Sequence, residues 1–335
     1  MFKKLYEKVK KYIKQNHNFI LFLILLVLVL NIKLPYVVER PGGISSLNEH
    51  IKINGKNIKG DYNTAYVRVN NGSVVSVLLS FVIPNWDLEP LSNFTNDEDE
   101  TYNEVLSLDR KAMLYSQNTA IKLVFDKLDI PYSIDSENLY VYSKINGYKN
   151  DFKYGDQIIK CDGEKLNYME DLSTCINNSV DNQVDIEVLR DKKNILLGVD
   201  LEFSEGKKIM GIVVLRDFNI NSDIKIAFSN DSNESGASGG LMTALALYDN
   251  LSSKDLIRKY KVAGTGTIDD CGNVGEIDGI KYKLLGAKNK VDIFFVPAKN
   301  YEEALDVKKK HHLKINIVEV SNIDDAINYL ENYQK

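Results

Sequence analysis

Residues 19–30 (FILFLILLVLVL) form an unbroken apolar run of 12, and such a run belongs either inside a protein core or inside a bilayer. The segment before it, MFKKLYEKVKKYIKQNHN, sets Lys3, Lys4, Lys8, Lys10, Lys11 and Lys14 against Glu7 alone, a basic flank of the kind retained in the cytosol. Extended through NIKLPYVV to Val38, the run covers about 20 residues, or roughly 30 Å of helix, one hydrocarbon thickness. Lys33 near its far end suits a snorkelling position and Tyr36 an interfacial one. The expectation is therefore a cytoplasmic basic tail over 1–17, a single-pass transmembrane helix over 18–38, and a chain that faces outward from the cell membrane after Glu39. A cleavable signal peptide competes with this, because 12 apolar residues are also of signal-core length; the exit NIKLPYVVERPGG lacks the small-x-small cleavage pattern and favours an uncleaved anchor.

The rest of the 335 residues suffices for two folded units. With 44% apolar and 27% charged residues, disorder and a disulfide scaffold are excluded as overall classes. A net charge of −5, from 42 basic and 47 acidic side chains, argues against a nucleic-acid partner. Cys161, Cys175 and Cys271 make no CxxC pair and only four histidines are present, so neither a metal site nor a cofactor is expected. Cys161 and Cys175 read as small buried apolar side chains.

Segment 39–131 is mixed. It holds strand patterns around HIKING and TAYVRVNNG, the apolar stretch SVVSVLLSFVI and an acidic knot at Asp97, Glu98, Asp99 and Glu100. A long helix follows, with Val105, Leu108, Met113, Ile121, Val124 and Phe125 on one face, ending before Pro131. The acids read as a solvated helix N-terminus; a calcium site lacks the EF-hand spacing. Segment 132–203 turns to short strands with one helix, NYMEDLSTCINNS. From 204 to 335 strands and helices alternate, as in an α/β unit.

Candidate chemistry lies in this last segment. The loop Glu234, Ser235, Gly236, Ala237, Ser238, Gly239, Gly240 opens an apolar helix, which leaves the Ser238 hydroxyl at a helix N-terminus with backbone N–H groups close by. A later helix carries Ile280, Leu284 and Ala287 at buried spacing, and Lys283 falls on the same stripe. Burial disfavours the ammonium form, so a lysine there becomes a candidate base for the serine. Lys281 falls on the face shared with Leu285 and Lys288, which reads as solvated. From the residues alone, a snorkelling structural lysine stands on equal terms with the base.

Two resemblances sharpen these readings. FKYGDQIIKCDG, residues 152–163, resembles the LKxGDxIxxxDG signature of bacterial PDZ domains, which implies an extended peptide added to an edge strand at Leu139, Tyr140 and Val141, beside the helix bearing Met169, Leu172 and Ile176. ESGASGGLMTALALYDNL, KVAGTGTIDDCGNVGEIDGIKYKLLGAK and FFVPAKN resemble, in order, the proteolytic domain of the Lon family. With the anchor and the PDZ-like module, the chain resembles the membrane-anchored, PDZ-containing Lon-like serine proteases of Gram-positive bacteria. That resemblance implies an α+β and α/β multidomain fold, a Ser238–Lys283 dyad supported by Thr265, Gly236 and Gly239, unfolded or flexible protein substrates, and assembly as a homo-oligomer, commonly a hexamer. Two departures stand in the loop: Ala237 replaces the family's proline and Gly239 its alanine. Thr267 occupies the place of an acid. With no GxxxxGK[ST] phosphate loop in the sequence, proteolysis is expected to be independent of ATP.

Two rival readings are an esterase, since GASGG also fits GxSxG and Asp306 and His311 follow, and an inactive membrane-tethered PDZ scaffold. Against the esterase, NDSNES separates the preceding strand from Gly236, whereas a nucleophile elbow runs from strand into turn directly.

Overall fold

The computed structural model describes residues 2–95, 100–145, 147–204, 206–229 and 234–333. Asp97, Glu98 and Asp99 of the acidic knot, and residues 230–233 ahead of the serine loop, lie outside them. Two units divide the chain: 1–40 with 68–95, and 41–67 with 96–335.

The first unit opens with α1 (Phe2–Gln15) and α2 (His17–Leu30). The helix expected over 18–38 stops at Leu30. Its 14 residues amount to about 21 Å, short of the roughly 30 Å of a hydrocarbon core. The stop has a local cause: the Asn31 side chain donates to the Val27 carbonyl at 2.8 Å, and Pro35 biases Leu34 towards extended backbone. The chain continues as β1 (Lys33–Ser46). Among the described residues no single helix is long and apolar enough to cross a membrane; α1 and α2, bent by 79°, meet that requirement only as a pair, by length and composition. Further along, β2 (Asp61–Ser73) runs into α3 (Val74–Ser80) through a capping box of Ser73 and Ser76. β3 (Asp87–Pro90) then pairs antiparallel with β1, Tyr36 opposite Pro90.

In the second unit α4 (Tyr102–Lys127) starts at a capping box of Thr101 and Glu104, so the predicted helix has a well-defined beginning. β4 (Ser133–Lys144), β5 (Gln157–Cys161), α5 (Met169–Asn178), β6 (Gln183–Arg190), β7 (Lys193–Asp200) and β8 (Ile212–Asn221) follow. They build a sheet in the order β7–β6–β5–β4–β8. The sheet encloses Leu139, Val141, Phe152, Ile158, Leu172 and Ile186. Cys161 and Cys175 are joined in a disulfide between β5 and α5. They are therefore not the unpaired small apolar side chains expected from sequence: the strand and helix bring two positions 14 residues apart face to face.

β4 also differs from expectation. On one side Leu139 and Tyr140 pair with Ile158 and Gln157 of β5; on the other, Leu139, Tyr140 and Val141 pair with Arg216, Leu215 and Val214 of β8. An interior strand has no free backbone edge for an added peptide. Leu139 and Val141 are buried, so the peptide-binding role read for Leu139, Tyr140 and Val141 is excluded by the chain's own β8. Arg216 fastens β8 in place, with its guanidinium donating to Asp270 at 2.5 Å and Tyr115 at 3.0 Å and lying 3.5 Å from Glu137 of β4.

The remaining elements are α6 (Gly240–Ser252), β9 (Lys261–Gly264), α7 (Ile280–Ala287), β10 (Ile293–Pro297), α8 (Tyr301–Lys310), β11 (Asn316–Val320) and α9 (Ile323–Tyr333). β9 lies parallel to both β2 and β10, and β10 parallel to β11, in the order β11–β10–β9–β2–β1. Segment 39–131 thus contributes strands to the sheet of the C-terminal segment, and its core as well: Tyr62, Ala120, Val124 and Phe125 pack in one cluster with Leu241, Leu245 and Phe295. Conversely, β8, beyond residue 204, completes the sheet of the β-rich module.

Candidate active site

α6 is apolar on all sides, and every residue from Gly240 to Asp249 is buried, as a helix of that pattern requires. Each fully buried leucine in it contributes about 2 kcal/mol. A single 3₁₀ turn, Ala237–Gly239, precedes it, so Ser238 sits at the mouth of a helix whose body is locked in the core. Its backbone is held as well. The Ser238 carbonyl accepts from the Gly266 N–H at 2.8 Å and from the Thr265 hydroxyl at 3.2 Å, and the Leu241 N–H returns a bond to the Gly266 carbonyl at 3.1 Å.

Lys283 arrives from α7. Ile280, Leu284 and Ala287 are fully buried and Lys283 is only 4% exposed, in keeping with the stripe its spacing defines. Its ammonium nitrogen Nζ donates to Thr265 Oγ1 at 3.1 Å. Thr265, itself 0% exposed, therefore links the lysine amine to the serine residue through one hydroxyl. Lys281 is partly exposed and lies over the Tyr282 ring at 5.1 Å. The position of α7 depends on close backbone contact: a Cβ on Gly286 would lie 2.7 Å from Gly43 N, so the helix seats directly on the glycine pair of β1.

The two loop glycines differ in role. Gly236 has φ 94°, a conformation that penalises any side chain, and its N–H donates to the Asp109 carbonyl at 2.9 Å. A Cβ on Gly239 would meet Thr64 Cγ2 at 3.2 Å, so the position that reads alanine in the usual loop is tightly walled.

Sequence reasoning missed the part played by α4. The Ser116 hydroxyl donates to the Ala237 carbonyl at 3.0 Å, and the Asp109 carbonyl holds the Gly236 N–H, so α4 grips the serine loop at two adjacent residues. A signal was available: Ser116, buried, follows Leu108 and Ala112 at helical spacing on a buried stripe whose other polar residue is Thr119. Burial raises the Asp109 carboxyl above its usual range. Burial first, and then Asp109, pushes the Tyr142 phenol up to about 12. Tyr142 donates to Asp109 at 3.3 Å. His311 closes α8 among Lys310, Lys281, Lys288 and His312, where desolvation and then these cations lower its pKa. Among the described residues the one cluster of metal-type donors is Cys161, Asp162 and Cys175 in the β-rich module, and its two sulfurs are joined to each other.

Residues 208–331 match the Lon protease (S16) C-terminal proteolytic domain. That match supports a serine peptidase. A Lon protease from Aster yellows witches'-broom phytoplasma (strain AYWB) is 30% identical over 118 residues, 32% of this chain and 15% of that protein; the chain thus corresponds to a small part of its relative's length. Among solved structures, the PDZ domain of an SdrC-like protein from Listeria innocua is 22% identical, with 23% of this chain and 92% of that one covered and a TM-score of 0.22. The PDZ domain of an SdrC-like protein from Listeria monocytogenes is 19% identical, with coverage of 23% and 85% and a TM-score of 0.21.

Proposed function

We propose that the chain is an ATP-independent serine endopeptidase held at a membrane by its N-terminal helices, with Ser238 as nucleophile and Lys283 as its base. The carrying observation is the buried relay in which Thr265 Oγ1 receives the Lys283 amine at 3.1 Å and reaches the Ser238 carbonyl at 3.2 Å. Desolvation disfavours a charged amine, and a neutral one takes the Ser238 proton. Ser238 Oγ then attacks a peptide carbonyl, and the amides of Ser238 and Gly239, at the start of α6, donate to the oxyanion. Lys283 returns the proton to the leaving amine as the C–N bond breaks, and water hydrolyses the acyl-enzyme. The Gly236 amide, committed to Asp109, takes no part in the oxyanion site. Unfolded or flexible proteins are the substrates, and the lysine-rich tail lies on the cytoplasmic side with the catalytic segment opposite it. The disulfide of Cys161 and Cys175 accords with that side, since disulfides persist in oxidising surroundings.

The test uses the full chain in detergent micelles with an unfolded protein and no nucleotide. Wild type and Lys281→Ala are expected to cleave it, and Ser238→Ala and Lys283→Ala to lose activity by about 10³-fold or more. Equal activity in all four forms refutes the dyad; no activity in any of them leaves the tethered scaffold.

A further inference from the structure

Residues 74–86 (VVSVLLSFVIPNW) contain no charged side chain, yet the segment is not packed away. Val75, Leu78, Leu79 and Val82, spaced i, i+3, i+4 and i+7, are 37%, 56%, 39% and 78% exposed, and Phe81 is 75% exposed. That spacing is one face of a helical path, so the exposed side chains form a stripe. A contiguous apolar surface of this kind marks an interaction site.

We propose that this segment is a second membrane-contacting element, its apolar face inserted among the lipids of the leaflet from which α2 emerges; this rests on the proposed anchoring by α2. Three observations within the first unit select a bilayer over a protein partner. First, α3 begins level with the end of α2, its Val74 N–H donating to the Ile32 carbonyl at 3.1 Å, so the stripe continues the apolar surface of α2, on which Phe22, Leu25 and Leu28 are exposed. Second, the two hydroxyls of α3 are satisfied on their own backbone, Ser76 Oγ donating to the Ser73 carbonyl at 3.0 Å and Ser80 Oγ to the Val77 carbonyl at 2.7 Å. Neither then needs water. Third, the borders carry groups suited to headgroups: Lys33 Nζ donates to the Asn71 carbonyl at 3.2 Å, and the Arg40 guanidinium stacks over Trp86 at 4.6 Å.

Trp86 is the sole tryptophan, and it reports on the segment without labelling. The experiment reconstitutes the full chain in phosphatidylcholine–phosphatidylglycerol vesicles with acyl chains brominated at shallow or deep carbons, beside extraction with alkaline carbonate. The expected result is retention after carbonate and strong quenching of Trp86 by shallow bromines, most of which is lost in the Phe81→Asp/Val82→Asp double variant. Retention with unquenched Trp86 overturns the inserted segment while leaving the anchor intact. Release by carbonate overturns both. Unquenched Trp86 together with an assembly that the double variant dissociates assigns the stripe to a second copy of the chain and also overturns the proposal.

Discussion

Thr265→Val isolates the relay without changing its shape. Valine matches threonine in volume and branching but has no hydroxyl, so the substitution removes both bonds of Thr265 Oγ1, the one from Lys283 at 3.1 Å and the one to Ser238 at 3.2 Å. The Ser238 carbonyl keeps its bond from Gly266 at 2.8 Å, so the loss falls mainly on the lysine amine, which is only 4% exposed and cannot turn to bulk water. Loss of one hydrogen bond to a buried amine costs about 1–3 kcal/mol; expressed in the transition state, that is roughly a 5- to 150-fold fall in rate. The assay is steady-state cleavage of an internally quenched peptide, with kcat and KM separated and Tm recorded by circular dichroism. Thr265→Val is expected to lower kcat within that range, well short of the loss in Lys283→Ala, and Thr265→Ser to restore most of it. Wild-type kcat in Thr265→Val, or an equal defect in Thr265→Ser, refutes the positioning role.

Further outcomes follow from the same geometry. Gly286→Ala places a Cβ 2.7 Å from Gly43 N and 3.0 Å from its Cα; backbone must move, so stability falls by about 1–3 kcal/mol, read as a lower Tm, with peptidase activity falling alongside. The Asp109 carboxyl, raised by burial, contributes stability that is present below its unfolded pKa near 3.8 and lost as pH rises through the higher folded value; Asp109→Asn is expected to flatten the decline of Tm as pH rises above that unfolded value. Reduction of the Cys161–Cys175 bridge, which spans 14 positions, removes about 3 kcal/mol, and hydrogen exchange is expected to show it in β5 and α5 rather than in β9, β10 or β11. His311→Ala with His312→Ala is expected to leave cleavage unchanged; abolition of activity revives the esterase arrangement.

The order of elements after residue 132 was legible because each carries its own period, alternating in β6 and β7 and helical in α5 and α7. The burial of Lys283 was legible for the same reason, as a polar residue on a stripe set by its neighbours. What the residues could not disclose were pairings between distant segments. β8 reads as a strand in isolation, and nothing in IVVLRDFNIN announces that it covers β4 and closes the edge expected to receive a peptide. Likewise, β2 and α4 carry local signals for a strand and a helix, but their membership in the C-terminal core is a matter of parallel pairing across about 200 positions of chain. The end of α2 was misread because hydropathy alone extended it through Asn31 and Pro35, residues whose backbone preferences end a helix.

The most direct measurement of the central claim is mass-spectrometric mapping of the acyl-enzyme, trapped by acid quench in the first turnover of an activated peptide ester. The account predicts one acyl group per chain on Ser238, absent from Ser238→Ala and strongly reduced in Lys283→Ala. An acyl group on any other side chain, or turnover that proceeds undiminished in Ser238→Ala, contradicts it.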